Sequence, residues 1–372
     1  MRMLLLKNIT LKNNTGDKIM IYIKKDFEPD YNNIVLAAKN MQPKRTPLYE
    51  HVVSTRIFEE VTGLKSPAKT GENKRDTIEY YKHFNNMFKT LGYDAVCYEL
   101  GSAGVMPGSG SLGAHKDGEI KVRADFDRYE WDKIPGIYFD RYDFNIGCMR
   151  KAIPAGMKLI GGVGNGVFEC VQDITGFMDL CYIRNDDPEL FALLFKAVGD
   201  MLYKIWDRFL DLYDDLFCVY RFGDDLGYKI SPMLTPDDVR KHIVPQYKRI
   251  ISLIKSKTGK PFLLHSCGNL AEIMDDLIGA GIDAKHSNED VIAPFSELVK
   301  SYGDKIGLFG GIDTDALCDI SGIDIESYTR EAVGPLINKP GIAIGSGNSI
   351  TDYVSTERFA KMNEIVRVMR GE

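Results

Sequence analysis

The stretch Pro261–Asn269 carries a short apolar run, Phe262 to Leu264, that stops abruptly in His265, Ser266, Cys267, Gly268 and Asn269. An apolar run that ends in polar groups reads as the carboxyl end of a buried parallel strand. Residues two apart on a strand share a face, so His265 and Cys267 point together while Ser266 turns away. Imidazole beside thiolate is a metal-binding pair, and zinc suits it. A lone Cys or His is usually a packing residue. Here the glycine and asparagine that follow put both at a strand-to-loop edge.

Other chemistry-bearing residues stand at the ends of comparable runs: Tyr49 and Glu50, Glu99, Glu169, Asp224 and Asp225, His286 and Glu289, Asp313, and Asn348. If these runs converge, His265 and Cys267 form the start of a metal site, with Glu289 a further ligand or, equally, a helix cap. Glu169 and Asp224 are the acid–base candidates, and the Asp224–Asp225 pair fits a loop-capping role as well. Tyr49, Glu99, Asp313 and Asn348 are the substrate-binding candidates. His51, His83, His115 and His242 read as ordinary surface or packing histidines. Gly108–Gly113 fits G-x-G-x-x-G literally, but no helix pattern follows to hold a pyrophosphate, so a dinucleotide is not expected there. The sequence contains no nucleophile elbow, phosphate-binding P-loop, H-E-x-x-H or kinase set.

The elements that must position these residues alternate in a regular rhythm. Strand candidates are Pro47–His51, Tyr93–Leu100, Met157–Val163, Leu216–Tyr220, Phe262–Leu264, Ile282–Lys285, Ile306–Phe309 and Gly341–Ile344. Helical patterns lie between them. Asp186-Asp187-Pro188-Glu189 is a start signal for a helix whose apolar stripe runs from Leu190 to Phe209. Thr235–Asp238 opens a second helix through Ile250, and Thr356–Arg370 reads as a closing one. Eight such units predict an α/β fold, a (β/α)8 TIM barrel over residues 41–372, with reactive groups where the strands end. An open doubly wound sheet is the alternative. Residues 1–40 read as an extension: a hairpin, Met3–Leu11 and Lys18–Ile23 joined by Asn13–Gly16, then a short helix, Tyr31–Asn40. Gly101–Gly136, after the second strand, is a long lid-like insertion, aromatic around Tyr129 and Trp131.

At 372 residues and 44% hydrophobic content the chain can build a large core, and a net charge of −6 without basic runs suggests neither nucleic acid nor an anionic membrane as partner. Seven dispersed cysteines without C-x-x-C argue for reduced thiols and a cytoplasmic protein. The apolar start Met1–Leu6 is too short for a signal core or a membrane span. Without a secretion signal, the sequons at Asn8 and Asn13 are empty matches.

Several blocks, in order, resemble the uroporphyrinogen decarboxylase superfamily: Gly223–Gly227, Ser231–Pro232 leading to Pro245–Arg249, His265–Asn269, Gly310–Asp313 and Gly345–Ile350. The resemblance runs from about Arg45 to the end and implies a (β/α) barrel. One branch decarboxylates uroporphyrinogen without a cofactor, through a Met-Arg-Gln-Ala-Gly-Arg-Tyr motif; the corresponding Arg45–His51 lacks it. The other branch comprises corrinoid-dependent methyltransferases, in which His-x-Cys and a later Cys bind zinc. His265 and Cys267 match the first two, and Ser346 stands where thiol-transferring members carry the second cysteine. The resemblance is strongest to O-demethylase methyltransferases. It implies zinc as a Lewis acid in an oxygen-rich shell, a small methylated substrate such as an aromatic methyl ether, and a corrinoid supplied by a partner protein. An Asp-x-His-x-x-Gly cobalt-ligating motif is absent from this sequence. Porphyrinogen decarboxylation and a non-catalytic ligand-binding barrel are the competing expectations, and a homodimer is compatible with either.

Overall fold

The structure, a computed structural model, describes residues 6–12, 18–24, 27–67, 73–113, 116–318 and 322–372. The hairpin turn Asn13–Gly16, residues Met3 to Leu5 of its first strand, and His115 lie outside them. The strands are β1 (Leu6–Lys12), β2 (Lys18–Lys24), β3 (Val96–Leu100), β4 (Leu159–Val163), β5 (Phe217–Gly223), β6 (Phe262–His265), β7 (Ala284–His286), β8 (Gly307–Ile312) and β9 (Ile342–Ser346). Strands β3 to β9 are parallel and alternate with helices in chain order, the TIM-barrel-like α/β class that the strand rhythm predicts. β1 and β2 pair antiparallel, Leu6 opposite Lys24, as the expected hairpin. Among the described residues no helix is long and apolar enough to cross a membrane.

Two compact units make up the chain. The first comprises Met1–Cys97, Asn145–Leu159 and Ala284–Glu372, and the second Tyr98–Phe144 and Ile160–Asp283. In the first unit β7, β8 and β9 are neighbours in that order, with Ala284 opposite Gly307 and Ile312 opposite Ser346. The expected first strand, Pro47–His51, is here a single bridge, Leu48 opposite Ile344, held by Tyr49 N–H to Ile344 O at 3.0 Å and Ile344 N–H to Pro47 O at 3.0 Å. Pro47 has an acceptor and no donor, so the ladder does not extend through it.

In the second unit β3, β4, β5 and β6 follow one another, with Gly223 opposite His265. The helix Pro188–Tyr213 begins as its start signal predicts: Asp187 caps it by accepting from Leu190 N–H at 2.9 Å, and Pro188 occupies the first turn. Its stripe, Leu190, Leu194, Val198, Leu202, Ile205 and Phe209, is buried together with Trp206. Thr235 opens the helix Pro236–Asp238 as expected. A π-turn, Val239–Ile243, then intervenes before the helix Val244–Thr258, next to the proline that cannot donate to the ladder. His242 packs edge-on against Phe191, the packing role expected of it.

The glycine-rich part of the insertion holds an anion, although an internal one. Gly110 N–H and Leu112 N–H donate to Asp173 Oδ1 at 3.0 and 2.9 Å, and Ile120 N–H donates to Ile174 O at 2.9 Å. Asp173 belongs to the helix Val167–Thr175, so a concave run of amides that resembles a phosphate cradle is filled by a carboxylate of its own unit. Tyr129 O–H closes the aromatic end on Pro107 O at 2.6 Å.

Candidate metal and acid–base site

β6 is buried throughout and delivers His265, only 5% exposed as a residue, at its carboxyl end. Cys267 lies two residues beyond the strand, and its Sγ is 3.6 Å from His265 Nε2, as the shared face predicts. The third member comes from β5. Because Gly223 pairs with His265, two further steps along each segment set Asp225 beside Cys267. Asp225 Oδ1 is 3.7 Å from His265 Nε2 and accepts from Cys267 N–H at 2.9 Å. Asp225, His265 and Cys267 therefore gather one carboxylate, one imidazole and one thiol within 4.8 Å of one another. Asp225 is an acid to which the sequence reading gives a loop-capping, substrate or acid–base role, whereas it gives Glu289 as a further ligand or, equally, a helix cap. Glu289 belongs to the first unit, and its backbone carbonyl accepts from Ile292 at 3.0 Å and Ala293 at 3.1 Å at a helical turn.

The donor set fits zinc. In a tetrahedron with Zn–N near 2.05 Å, Zn–S near 2.3 Å and Zn–O near 2.1 Å, nitrogen and sulfur lie about 3.6 Å apart and nitrogen and oxygen about 3.4 Å apart. The separations here are 3.6 and 3.7 Å. Three protein ligands with a fourth position left over is the pattern of catalytic rather than structural zinc.

Glu169 and Asp224 stand next to this trio and have different surroundings. Asp224 is fully buried, and its two oxygens accept from Phe168 N–H at 3.0 Å, Glu169 N–H at 2.7 Å and Tyr247 O–H at 2.6 Å. It thereby caps the helix Val167–Thr175 from another strand. Burial pushes its carboxyl up to about 6, against the downward pull of Tyr247 and the two amides. Glu169 accepts from Asn165 Nδ2 at 2.9 Å and from Asp225 N–H at 3.3 Å. Burial first, then the charges of Asp224 and Asp225, hold its carboxyl well above the ordinary carboxylate range, so it keeps its proton where Asp224 is ionised more readily. Asp224→Ala is expected to remove three buried bonds and destabilise the protein by roughly 3 kcal/mol. Urea unfolding measures this, and a loss below 1 kcal/mol would contradict the capping role.

The substrate-binding candidates fall in varied settings. Glu99, on β3, forms an ion pair with the fully buried Arg221 of β5; burial raises its carboxyl and Arg221 pulls it back. In the first unit Tyr49 is buried with its ring 4.9 Å from His286 and 5.1 Å from Phe309. Asp313 caps a turn of helix through Asp315 N–H at 2.7 Å and accepts from Asp290 N–H at 2.6 Å. Asn348 Oδ1 accepts from Ser349 N–H at 2.8 Å, and its carbonyl accepts from Ser346 Oγ. Sequence reasoning missed Tyr247, Asn165 and Arg221, which support other side chains and leave no motif. Asp225 was legible only as one acid of the Asp224–Asp225 pair at the end of an apolar run; the register that sets it beside Cys267 was not.

A parallel α/β succession whose ligand-bearing side chains gather where adjacent strands end is a TIM-barrel-like protein with a strand-end site. The chain belongs to the uroporphyrinogen decarboxylase (URO-D) family, whose pattern matches residues 116–369. Among solved structures it is similar to a methyltransferase from Methanosarcina mazei, with a TM-score of 0.63 and 14% identity over 92% of this chain and 98% of that one, a likeness of fold. A weaker similarity, TM-score 0.47 and 11% identity over 87% of this chain and 98% of the other, is to a candidate vitamin-B12-independent methionine synthase from Listeria monocytogenes. No curated protein sequence matches the chain.

Proposed function

We propose that this protein is a methyltransferase that moves a methyl group from a small methylated substrate, an aromatic methyl ether, to a separate corrinoid protein, with zinc held by Asp225, His265 and Cys267. The observation that carries the reading is the approach of Cys267 Sγ and Asp225 Oδ1 to His265 Nε2, at 3.6 and 3.7 Å, in a chain of the URO-D family. When bound there, zinc supplies Lewis acidity toward the ether oxygen. The residues of the chain supply the rest. Asp225 sets the Cys267 turn through its bond to the Cys267 amide. In the transfer, the C–O bond breaks with its electron pair left on oxygen, and the methyl carbon takes the electron pair of the acceptor's reduced cobalt. The oxygen then takes a proton, and Glu169, neutral through burial beside two acids, supplies it. Asp224 positions Glu169 by capping the helix that carries it.

Decarboxylation is disfavoured by the one arginine in the corresponding amino-terminal stretch. Arg45 is tied to Asp94, to Glu28 O at 2.8 Å and to the ring of Phe27, which leaves its guanidinium in a structural role. Metal analysis of the purified protein should find zinc. An assay with a methoxylated phenol and a reduced corrinoid protein should give the free phenol and the methylated corrinoid. Metal-free protein that still turns over, or conversion of uroporphyrinogen to coproporphyrinogen, would refute the reading.

A further inference from the structure

Strands β5 and β6 end their pairing at Gly223 and His265, yet the segments that follow stay together for several residues more. Asp224 N–H donates to His265 O at 2.9 Å and Asn269 N–H to Tyr228 O at 2.7 Å. Between those two main-chain bonds the links run through side chains, Leu226 N–H to Ser266 Oγ at 3.1 Å and Cys267 N–H to Asp225 Oδ1 at 2.9 Å. The first segment also folds back as a hairpin, with Gly227 bridged to Pro232 and Met233 N–H donating to Leu226 O at 2.7 Å. One segment carries Asp225 and the other Cys267, so the gap between segments sets the gap between carboxylate and thiol.

Two glycines set that gap. A Cβ on Gly227 would lie 2.7 Å from Cys267 O, 2.8 Å from the Gly268 carbonyl carbon and 2.9 Å from Asn269 N. One on Gly268 would lie 2.2 Å from the Gly227 carbonyl carbon, 2.4 Å from Gly227 O and 2.6 Å from Tyr228 N. All six atoms are main chain and cannot rotate aside, so any other residue at either position parts the segments. Gly268 has a φ of +81°, which favours glycine in its own right; Gly227 is not left-handed, and there the close approach is what calls for glycine. Ordinary contact for a Cβ begins at 3.4 Å against the 2.7 Å available at Gly227, a shortfall of about 0.7 Å. Ligands must be held to within roughly 0.5 Å for a metal site to work.

We propose that Gly227 and Gly268 are positioning residues for the metal site: the contact of their backbones holds the Asp225 carboxylate and the Cys267 thiolate close enough to share one ion with His265. This rests on the zinc reading of those three ligands and adds what sets their spacing.

The test compares the full-length wild type with Gly227→Ala, Gly268→Ala and Gly268→Asn, loaded with zinc and, separately, with cobalt(II). Chelator competition should show zinc binding roughly 10–100-fold weaker in Gly227→Ala, the loss expected when a ligand's support is removed. The d–d absorption per bound cobalt, intense in a tetrahedral site, should weaken as water replaces one of the two segment-borne ligands. Lower stability alone would shrink the folded fraction, read by circular dichroism, and leave the spectrum per bound cobalt unchanged. Asparagine tolerates a left-handed backbone but carries a Cβ, so Gly268→Asn should be as defective as Gly268→Ala. Wild-type zinc affinity in folded Gly227→Ala, recovery in Gly268→Asn, or weaker binding with an unchanged cobalt spectrum overturns the inference and leaves the zinc reading standing. Failure of both Gly227→Ala and Gly268→Asn to fold with zinc present overturns it too, because the contact then serves the fold. A wild type that binds neither metal overturns inference and zinc reading together. If the variants lose affinity and tetrahedral absorption as expected while the wild type transfers no methyl group, the positioning role stands and the methyl-transfer reading fails.

Discussion

Asp225→Ala is expected to weaken zinc binding by more than the roughly 10–100-fold that loss of an outer-shell partner costs, and to abolish methyl transfer. The expectation follows from where the ligand atoms lie. His265 Nε2 is 3.6 Å from Cys267 Sγ and 3.7 Å from Asp225 Oδ1, which leaves the third donor already in place. His265→Ala and Cys267→Ala should be at least as damaging, because each removes a softer ligand than a carboxylate. Competition with a chromogenic chelator measures affinity, and retained circular dichroism separates metal loss from unfolding. If Asp225→Ala kept wild-type affinity while Glu289→Ala lost it, the ligand set argued here would be wrong.

A second large effect concerns stability. Glu50 is fully buried and accepts from Tyr93 O–H at 3.3 Å and from Ser346 N–H at 3.2 Å, with Ser346 Oγ in contact as well. The same hydroxyl also touches Asn348 O. One hydroxyl proton cannot serve two acceptors, whereas a protonated Glu50 can donate to Ser346 Oγ and leave that hydroxyl to donate onward. Burial raises the Glu50 carboxyl from 4.5 to about 8, only partly offset by Ser346 and Tyr93. The native state thus keeps a proton that the unfolded chain has released above pH 4.5. Stability from this group is full below that value and is lost as pH rises through about 8.

The shift corresponds to at most roughly 5 kcal/mol between the two ends of the window. Glu50→Gln keeps a donor and an acceptor without titrating, so its stability should depend less steeply on pH and exceed that of the wild type at pH 9. Urea midpoints at pH 5, 7 and 9 give the comparison. Parallel curves for the two proteins would show that Glu50 titrates normally.

Ser346 illustrates how far the sequence could be read. Its type marks a departure from the cysteine found in thiol-transferring relatives, and that was visible at once. What replaces the cysteine was not, because Glu50 is nearly three hundred residues away in the chain and is brought to Ser346 only by the bridge of Leu48 to Ile344. The glycine run Gly108–Gly113 teaches the same lesson differently. The sequence pattern argued against a dinucleotide and said nothing of what the amides do hold, Asp173, whose placement depends on packing between segments about sixty residues apart. Pro47–His51 shows the reverse: its apolar pattern reads as a strand, and the structure forms there only the bridge of Leu48 to Ile344.

By itself the amino-acid sequence determined the alternation of strands and helices, since apolar periodicity and the capping residues Asp187 and Thr235 are local properties of the chain. It also determined that His265 and Cys267 share a face, because a two-residue step along an extended backbone is enough to align them. Only the tertiary structure decided which carboxylate joins them, which acid caps a helix and which keeps its proton. Those outcomes depend on strand register and on burial. The pairing of Gly223 with His265 brings Asp225 to the thiol, and the Phe168 and Glu169 amides with Tyr247 occupy Asp224, leaving Glu169 as the neutral acid.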